Sequence, residues 1–133
     1  MPMSNACICN NNKNFEACCS RFLSGAQHAK TPEQLMRSRY SAYALGGYGE
    51  YLLATWFSAT SADLTAESLS EKIVEWVKLE VLSKNQNGDK ATVTFNAFYR
   101  ESDSLDINIM HETSVFQRTS GRWFYVGGEV SNN

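Results

Sequence analysis

The sequence has little proline, 2 residues in 133, and carries neither an internal repeat nor a low-complexity tract, which argues against a disordered or repetitive architecture. It has little charge imbalance. The 12 Lys plus Arg against 14 Asp plus Glu leave a formal charge of -2, so no global field draws the chain toward nucleic acid or anionic lipid, and specific DNA binding is not expected. A long apolar run is also missing: Tyr40 to Ala62, with Glu50 its only charge, is broken by Gly46, Gly47 and Gly49 and is built from Ala and aromatics, so no membrane span is expected. Met1 to Ala6 offers neither a basic region nor an apolar stretch, which gives no secretory signal and an expected cytoplasmic, reducing setting. Walker, Rossmann and nucleophile-elbow signatures are absent, so ATPase, dehydrogenase and serine-hydrolase readings lack support. What is present is enough for one compact unit: 43% hydrophobic and 12% aromatic residues, in a chain too short for a barrel enzyme.

Cysteine is absent after position 19, and the four that occur are crowded as Cys7-Ile8-Cys9, then eight residues, then Cys18-Cys19. Adjacent cysteines bridge one another only with strain, and disulfides are uncommon in a reducing compartment. Four thiolates on a short loop suit a tetrahedral zinc ion at about 2.3 Å per bond; zinc is the expected ion, iron on the same sulfurs the alternative, and a disulfide framework or four unrelated buried thiols the non-metal reading. Four protein ligands fill the shell, so the centre is expected to hold shape or present a docking surface and not to hydrolyse. Asn10-Asn11-Asn12 can take positive φ, Lys13 can offset thiolate charge, and Phe15 is expected to cover the site.

Thr31-Pro32-Glu33-Gln34 predicts a capped helix that carries Leu35, Met36, Tyr40, Tyr43 and Ala44 on its spacing and ends at Gly46-Gly47. Tyr48, Tyr51, Leu52 and Trp56 mark a second, short helix. A third is expected from Thr65 to about Glu75, with Leu69 and Ile73 on one face. From Trp76 the period becomes two: Val77, Leu79 and Val81 alternate with Lys78 and Glu80, and Asn87-Gly88-Asp89 supplies a hairpin turn. Ala91, Val93, Phe95, Ala97 and Tyr99 follow on one parity, Ile107 to Arg118 returns, and Ser120-Gly121 turns into Trp123 to Val126. Helices first and then an antiparallel meander predict an α+β architecture with helices on one sheet face.

The cysteine run resembles the SEC-C motif, the zinc knuckle at the C-terminus of SecA. Phe22-Leu23-Ser24-Gly25, then Thr31 through Tyr43 with its Arg37-Ser38-Arg39-Tyr40-Ser41-Ala42-Tyr43 block, Tyr51-Leu52, Thr55-Trp56, His111-Glu112-x-Ser114-x-Phe116 and Gly121 to Val126 resemble the YchJ family over essentially the whole chain. The resemblance implies a SEC-C-like knuckle over residues 1–26 and a nuclear transport factor 2-like (NTF2-like) cone over 27–133. It brings no established reaction, and SecA's tail, a recruitment element, implies docking to a protein or ribosomal partner. The sequence departs from the family in having Asn10-Asn11-Asn12 where glycine-serine-glycine is usual, and in lacking the second cysteine cluster that many relatives carry.

Cones of this type often enclose a pocket, and Arg39, Tyr40, Tyr43, Trp56 and His111 are its candidate residues. His111 shares parity with Ile107, Ile109 and Val115 and is expected to point inward as the acid or base, with Asp63, Tyr40 or Tyr43 as partner; the alternative is a core histidine bonded to backbone or tyrosine. Glu112, on the opposite parity, is excluded as its partner. Arg37 is expected to pair with Glu33 at i,i+4, and Arg39 to stack on Tyr43, pair with a carboxylate such as Glu112, or serve an anion-binding pocket. Lys13, Arg21, Lys30 and Arg37 make the first forty residues basic, which would suit ribosomal RNA beside the knuckle. The first functional expectation is therefore a non-catalytic zinc-binding adaptor; the second is a small-molecule binder or enzyme using the cone cavity.

Overall fold

A computed structural model of the chain describes residues 6–10 and 12–132. The N-terminal segment is a tight loop closed by an antiparallel bridge between Ala6 and Asn14, a 3-10 turn over Phe15–Ala17 and a single helical turn, α1 (Ser20–Leu23). Asn10 and Asn12 take the expected positive φ, at 64° and 60°, while Asn11 lies outside the described residues.

Helix α2 (Pro32–Leu45) starts as its sequence dictates: Thr31 Oγ1 accepts from the Gln34 N–H at 3.1 Å, and Pro32 occupies the first position, where no N–H is needed. Gln34 Oε1 reaches the Lys30 N–H at 2.8 Å, one residue earlier than a capping box does. The helix ends at Gly46, whose φ of 75° suits glycine. Helix α3 (Gly49–Ala54) follows, then a 3-10 turn over Ser58–Thr60, then α4 (Ala66–Ser70), capped by Thr65. The expected continuation of this last helix to Glu75 does not form, and Ile73 is 79% exposed. Its end is fastened elsewhere: the Ser70 carbonyl accepts from Gly47 N and the Ser70 hydroxyl from Gly49 N, and Glu71 turns to extended backbone.

Strands β1 (Glu75–Asn87), β2 (Lys90–Arg100), β3 (Asn108–Thr119) and β4 (Arg122–Asn132) form one antiparallel sheet in sequential order. Its two outer hairpins turn at Gly88-Asp89 and at Ser120-Gly121, the latter with the paired positive φ that a type I′ turn needs. Ala91, Val93, Phe95 and Ala97 are buried as expected. On β1 a bulge at Val77 breaks the alternation, so Trp76 and Leu79 face the helices and Val77 is 40% exposed. The core lies between sheet and helices, where Leu35, Leu52, Val93 and Phe116 are fully buried, each side chain contributing roughly 1.5–3 kcal/mol. At the β4 edge, Trp56 forms a parallel bridge with Tyr125: Tyr125 N donates to Thr55 O and Phe57 N to Tyr125 O. Among the described residues no helix is long and apolar enough to cross a membrane.

Candidate functional site

All four cysteines are free thiols and buried, and their Sγ atoms lie within 4.8 Å of one another. A regular tetrahedron of sulfurs around zinc has edges of about 3.8 Å. Cys9 to Cys18 is 3.6 Å and Cys18 to Cys19 is 4.0 Å, so these two spacings match the donor set of a metal ion. With only protons to share, such a cluster is electrostatically awkward. Hydrogen bonding from Cys19 and then Cys9 holds the Cys7 thiol far below the usual range, and the same contact with Cys7 pushes Cys19 far above it. Cys9, lowered by Cys19 but raised more by Cys7 and burial together, is pushed up to about 12. A divalent cation would hold all four sulfurs as thiolates at once.

The loop that carries the thiols is tied to the cone. Arg37 Nη1 donates to Cys9 O at 2.7 Å, Asn10 Oδ1 accepts from Leu79 N at 2.8 Å, and the cysteines share one core with Leu35 and Met36. Phe15 packs half-buried against that cluster. Arg37 also makes the expected ion pair with Glu33, at 2.8 Å, and Lys84 approaches the same carboxylate. Lys13, Arg21 and Arg37 line a groove of about 190 Å³ beside Cys18 and Cys19, with Glu33 at its side.

The second feature is a cavity of about 240 Å³ between α2 and the sheet. Arg39, Tyr40 and Tyr43 line it, as do Trp76, Glu112 and Tyr125. Arg39 is buried: its Nη1 donates to Leu52 O at 2.7 Å and to Thr55 Oγ1 at 2.6 Å, and its guanidinium stacks 4.8 Å from the Trp56 ring centre and 4.5 Å from that of Tyr125, not on Tyr43. Burial lowers its pKa, an effect opposed by Tyr43, Tyr125, Tyr51 and Glu112; guanidinium stays charged regardless. Ser114 and Tyr125 donate to Glu112 Oε2, at 2.5 and 3.0 Å. Burial first, then the Glu112 charge, raise the Tyr125 phenol; burial and then Cys9 raise Tyr40, whose buried hydroxyl has no hydrogen-bond partner among the described residues.

Two of the expected pocket residues lie elsewhere. His111 sits on the outer face of the sheet, cross-strand from Asn96, with Nδ1 2.9 Å from Asn96 Oδ1, and it lines no part of the cavity. The inward parity of β3 is the other one, Glu112, Ser114 and Phe116, so Val115 is 41% exposed while Glu112 is 8% exposed. Trp56 supports the cavity from behind through Arg39 and Tyr125 and does not line it, and Asp63 is an exposed loop residue. Sequence reasoning missed Glu112, Ser114, Tyr125 and Trp76 as inward groups. The available signal was the pairing of Glu112 with Phe95 in the register, which needs the hairpin offset to be known.

A family model for the YchJ middle NTF2-like domain matches residues 31–128. The chain belongs to the YchJ family. Its YchJ relatives include a UPF0225 protein of Chromobacterium violaceum, 40% identical over 130 residues that cover 95% of this chain and 93% of that protein, and one of Sodalis glossinidius, 36% identical over 95% and 84%. The solution structure of a SEC-C motif containing protein from Rhodopseudomonas palustris matches with a TM-score of 0.84 at 31% identity, over 92% of this chain and 96% of that one. A crystal structure of a SEC-C motif containing protein from Psychrobacter arcticus matches with a TM-score of 0.79 at 25% identity, over 97% and 83%. The expected α+β, NTF2-like architecture with clustered N-terminal cysteines is thus the architecture of this YchJ member.

Proposed function

We propose that this YchJ-family chain is a zinc-binding, non-catalytic adaptor of the cytoplasm, in which Cys7, Cys9, Cys18 and Cys19 hold the ion and the knuckle offers a basic groove to a protein or ribosomal partner. The observation that carries the reading is the closed set of four buried thiols within 4.8 Å, which leaves no coordination position for a reacting water. Similarity to SEC-C motif containing structures supports the metal. Lys13, Arg21 and Arg37 beside the sulfurs support an acidic or phosphate-bearing partner.

Elemental analysis of reduced protein purified without added metal tests the first half. One equivalent of zinc is expected in the wild type and well under one in Cys18→Ser; metal-free, folded wild-type protein overturns it. For the second half, in-cell crosslinking of the wild type is compared with a Lys13→Glu, Arg21→Glu variant. Crosslinks that depend on those two residues support the adaptor, and an unchanged pattern overturns it.

A further inference from the structure

The cavity between α2 and the sheet is separate from the thiol cluster and has its own chemistry. Its walls are largely aromatic: Tyr40, Tyr43, Trp76, Phe95 and Phe116 present rings to a space of about 240 Å³, the first and third meeting edge to face at 6.0 Å. Of its lining residues Tyr43, Trp76, Met110 and Tyr125 are partly exposed, while Arg39, Glu112 and Ser114 are buried. A void lined only by hydrocarbon and ring faces would be expected in a core left imperfectly filled. This one contains two opposite charges, and no salt bridge within 4.0 Å joins them among the described residues. Burying a carboxylate and a guanidinium in the same space without pairing them directly costs stability that a purely structural core would avoid. Among the described residues both side-chain hydrogen bonds to Glu112 go to Oε2, which leaves Oε1 as an acceptor for an occupant.

We propose that this cavity binds a neutral, planar heteroaromatic molecule of about ten non-hydrogen atoms that carries an N–H donor next to a carbonyl acceptor. Size follows from the volume, since a void of roughly 150 Å³ accommodates benzene. Flatness follows from the ring-lined walls. Neutrality follows from the charges: Arg39 and Glu112 already cancel, and a charged guest would bring an uncompensated charge into the site. The N–H meets Glu112 Oε1, and the carbonyl takes a guanidinium N–H of Arg39. Glu112 here does the work that the sequence assigned to His111.

The test is titration of the 133-residue chain, purified with zinc present, with oxindole, which has the donor and acceptor side by side, and with benzoate and benzylamine as charged probes of similar size. Amide and indole N–H shifts in a nitrogen-15 NMR spectrum are the readout. Oxindole is expected to saturate at a Kd of about 0.1–1 mM, with shifts at Met36, Trp76 and Met110, and to bind at least about tenfold tighter than either charged probe. Glu112→Gln leaves Arg39 unbalanced and is expected to reverse that order in favour of benzoate. No saturable shift at several millimolar oxindole, equal binding of all three probes, or an affinity and order unchanged in Glu112→Gln overturns the proposal. None of these outcomes depends on whether the knuckle recruits a partner.

Discussion

Arg37 reaches from the middle of α2 to the carbonyl of Cys9, 2.7 Å away, while its Nε holds Glu33. The helix of the cone thereby clamps the loop that carries the first two sulfurs, and the thiol cluster is tied directly to the domain body. Replacing Arg37 with Met keeps the packed stem and removes a charge-assisted bond worth roughly 1.5–3 kcal/mol. Zinc loss to a competing chelator is expected to run at least about tenfold faster in Arg37→Met. Chelator-trap absorbance measures it, and an unchanged rate would mean that the knuckle holds itself.

Arg39 and Glu112 are expected to be energetically coupled through the cavity. Arg39→Met removes the charged donor from Leu52 O and Thr55 Oγ1 and leaves the carboxylate buried without its opposite charge, for a cost of about 3–5 kcal/mol. Adding Glu112→Gln should restore part of that, so the double variant is more stable than the sum of the single effects implies. Arg39→Lys should not rescue, because an ammonium cannot bond in the same fork and lie flat between Trp56 and Tyr125. Denaturant midpoints decide each comparison.

Glu33 gives the fold an acid-sensitive hinge point. Lys84 above all holds its carboxyl below the ordinary value of 4.5; burial opposes this, and Arg37 adds to the lowering. A folded-state pKa that is depressed contributes stability above the unfolded value and loses it as pH falls through the folded one. Stability should therefore decline below about pH 4.5, and the decline should be shallower in Glu33→Gln, whose stability at neutral pH is correspondingly lower. Parallel acid titrations followed by circular dichroism measure this; identical slopes would show that the ion pairs are idle.

Gly49 opens α3 where α4 crosses it, and a Cβ there would overlap the Ala66 carbonyl. Gly49→Ala is expected to destabilise by about 2–3 kcal/mol although alanine is the better helix former, because the two helical turns must part. A melting midpoint equal to that of the wild type would mean that the approach relaxes freely.

Much of the fold was legible from local chemistry. Thr31-Pro32 sets the start of α2, Gly46 its end, and the parity of Ala91 to Ala97 the buried face of β2, each through interactions spanning a few residues. Where distant partners decide, the sequence misled. The bulge at Val77 replaces the expected inward Val77 with Trp76, and the helix from Thr65 stops early because Ser70 is claimed by Gly47 and Gly49. On β3 both parities carry apolar residues, and the one with more aliphatics faces out, since the inner one spends two positions on Glu112 and Ser114. Buried polar residues read as solvent-facing in a strand, so the cavity's charged floor was hidden by the very feature that makes it chemical. The positions of the four thiols needed no such long-range information, as all lie within thirteen residues of one another.

The bridge from Trp56 to Tyr125 also bears on self-association. An open β4 would offer its N–H and carbonyl row as a template for a strand from another molecule, the usual route to fibrils and runaway oligomers. Here the stretch after α3 occupies the Tyr125 position of that row with its own backbone, so pairing of another strand along β4 is interrupted midway, and the edge that remains to extend the sheet is β1.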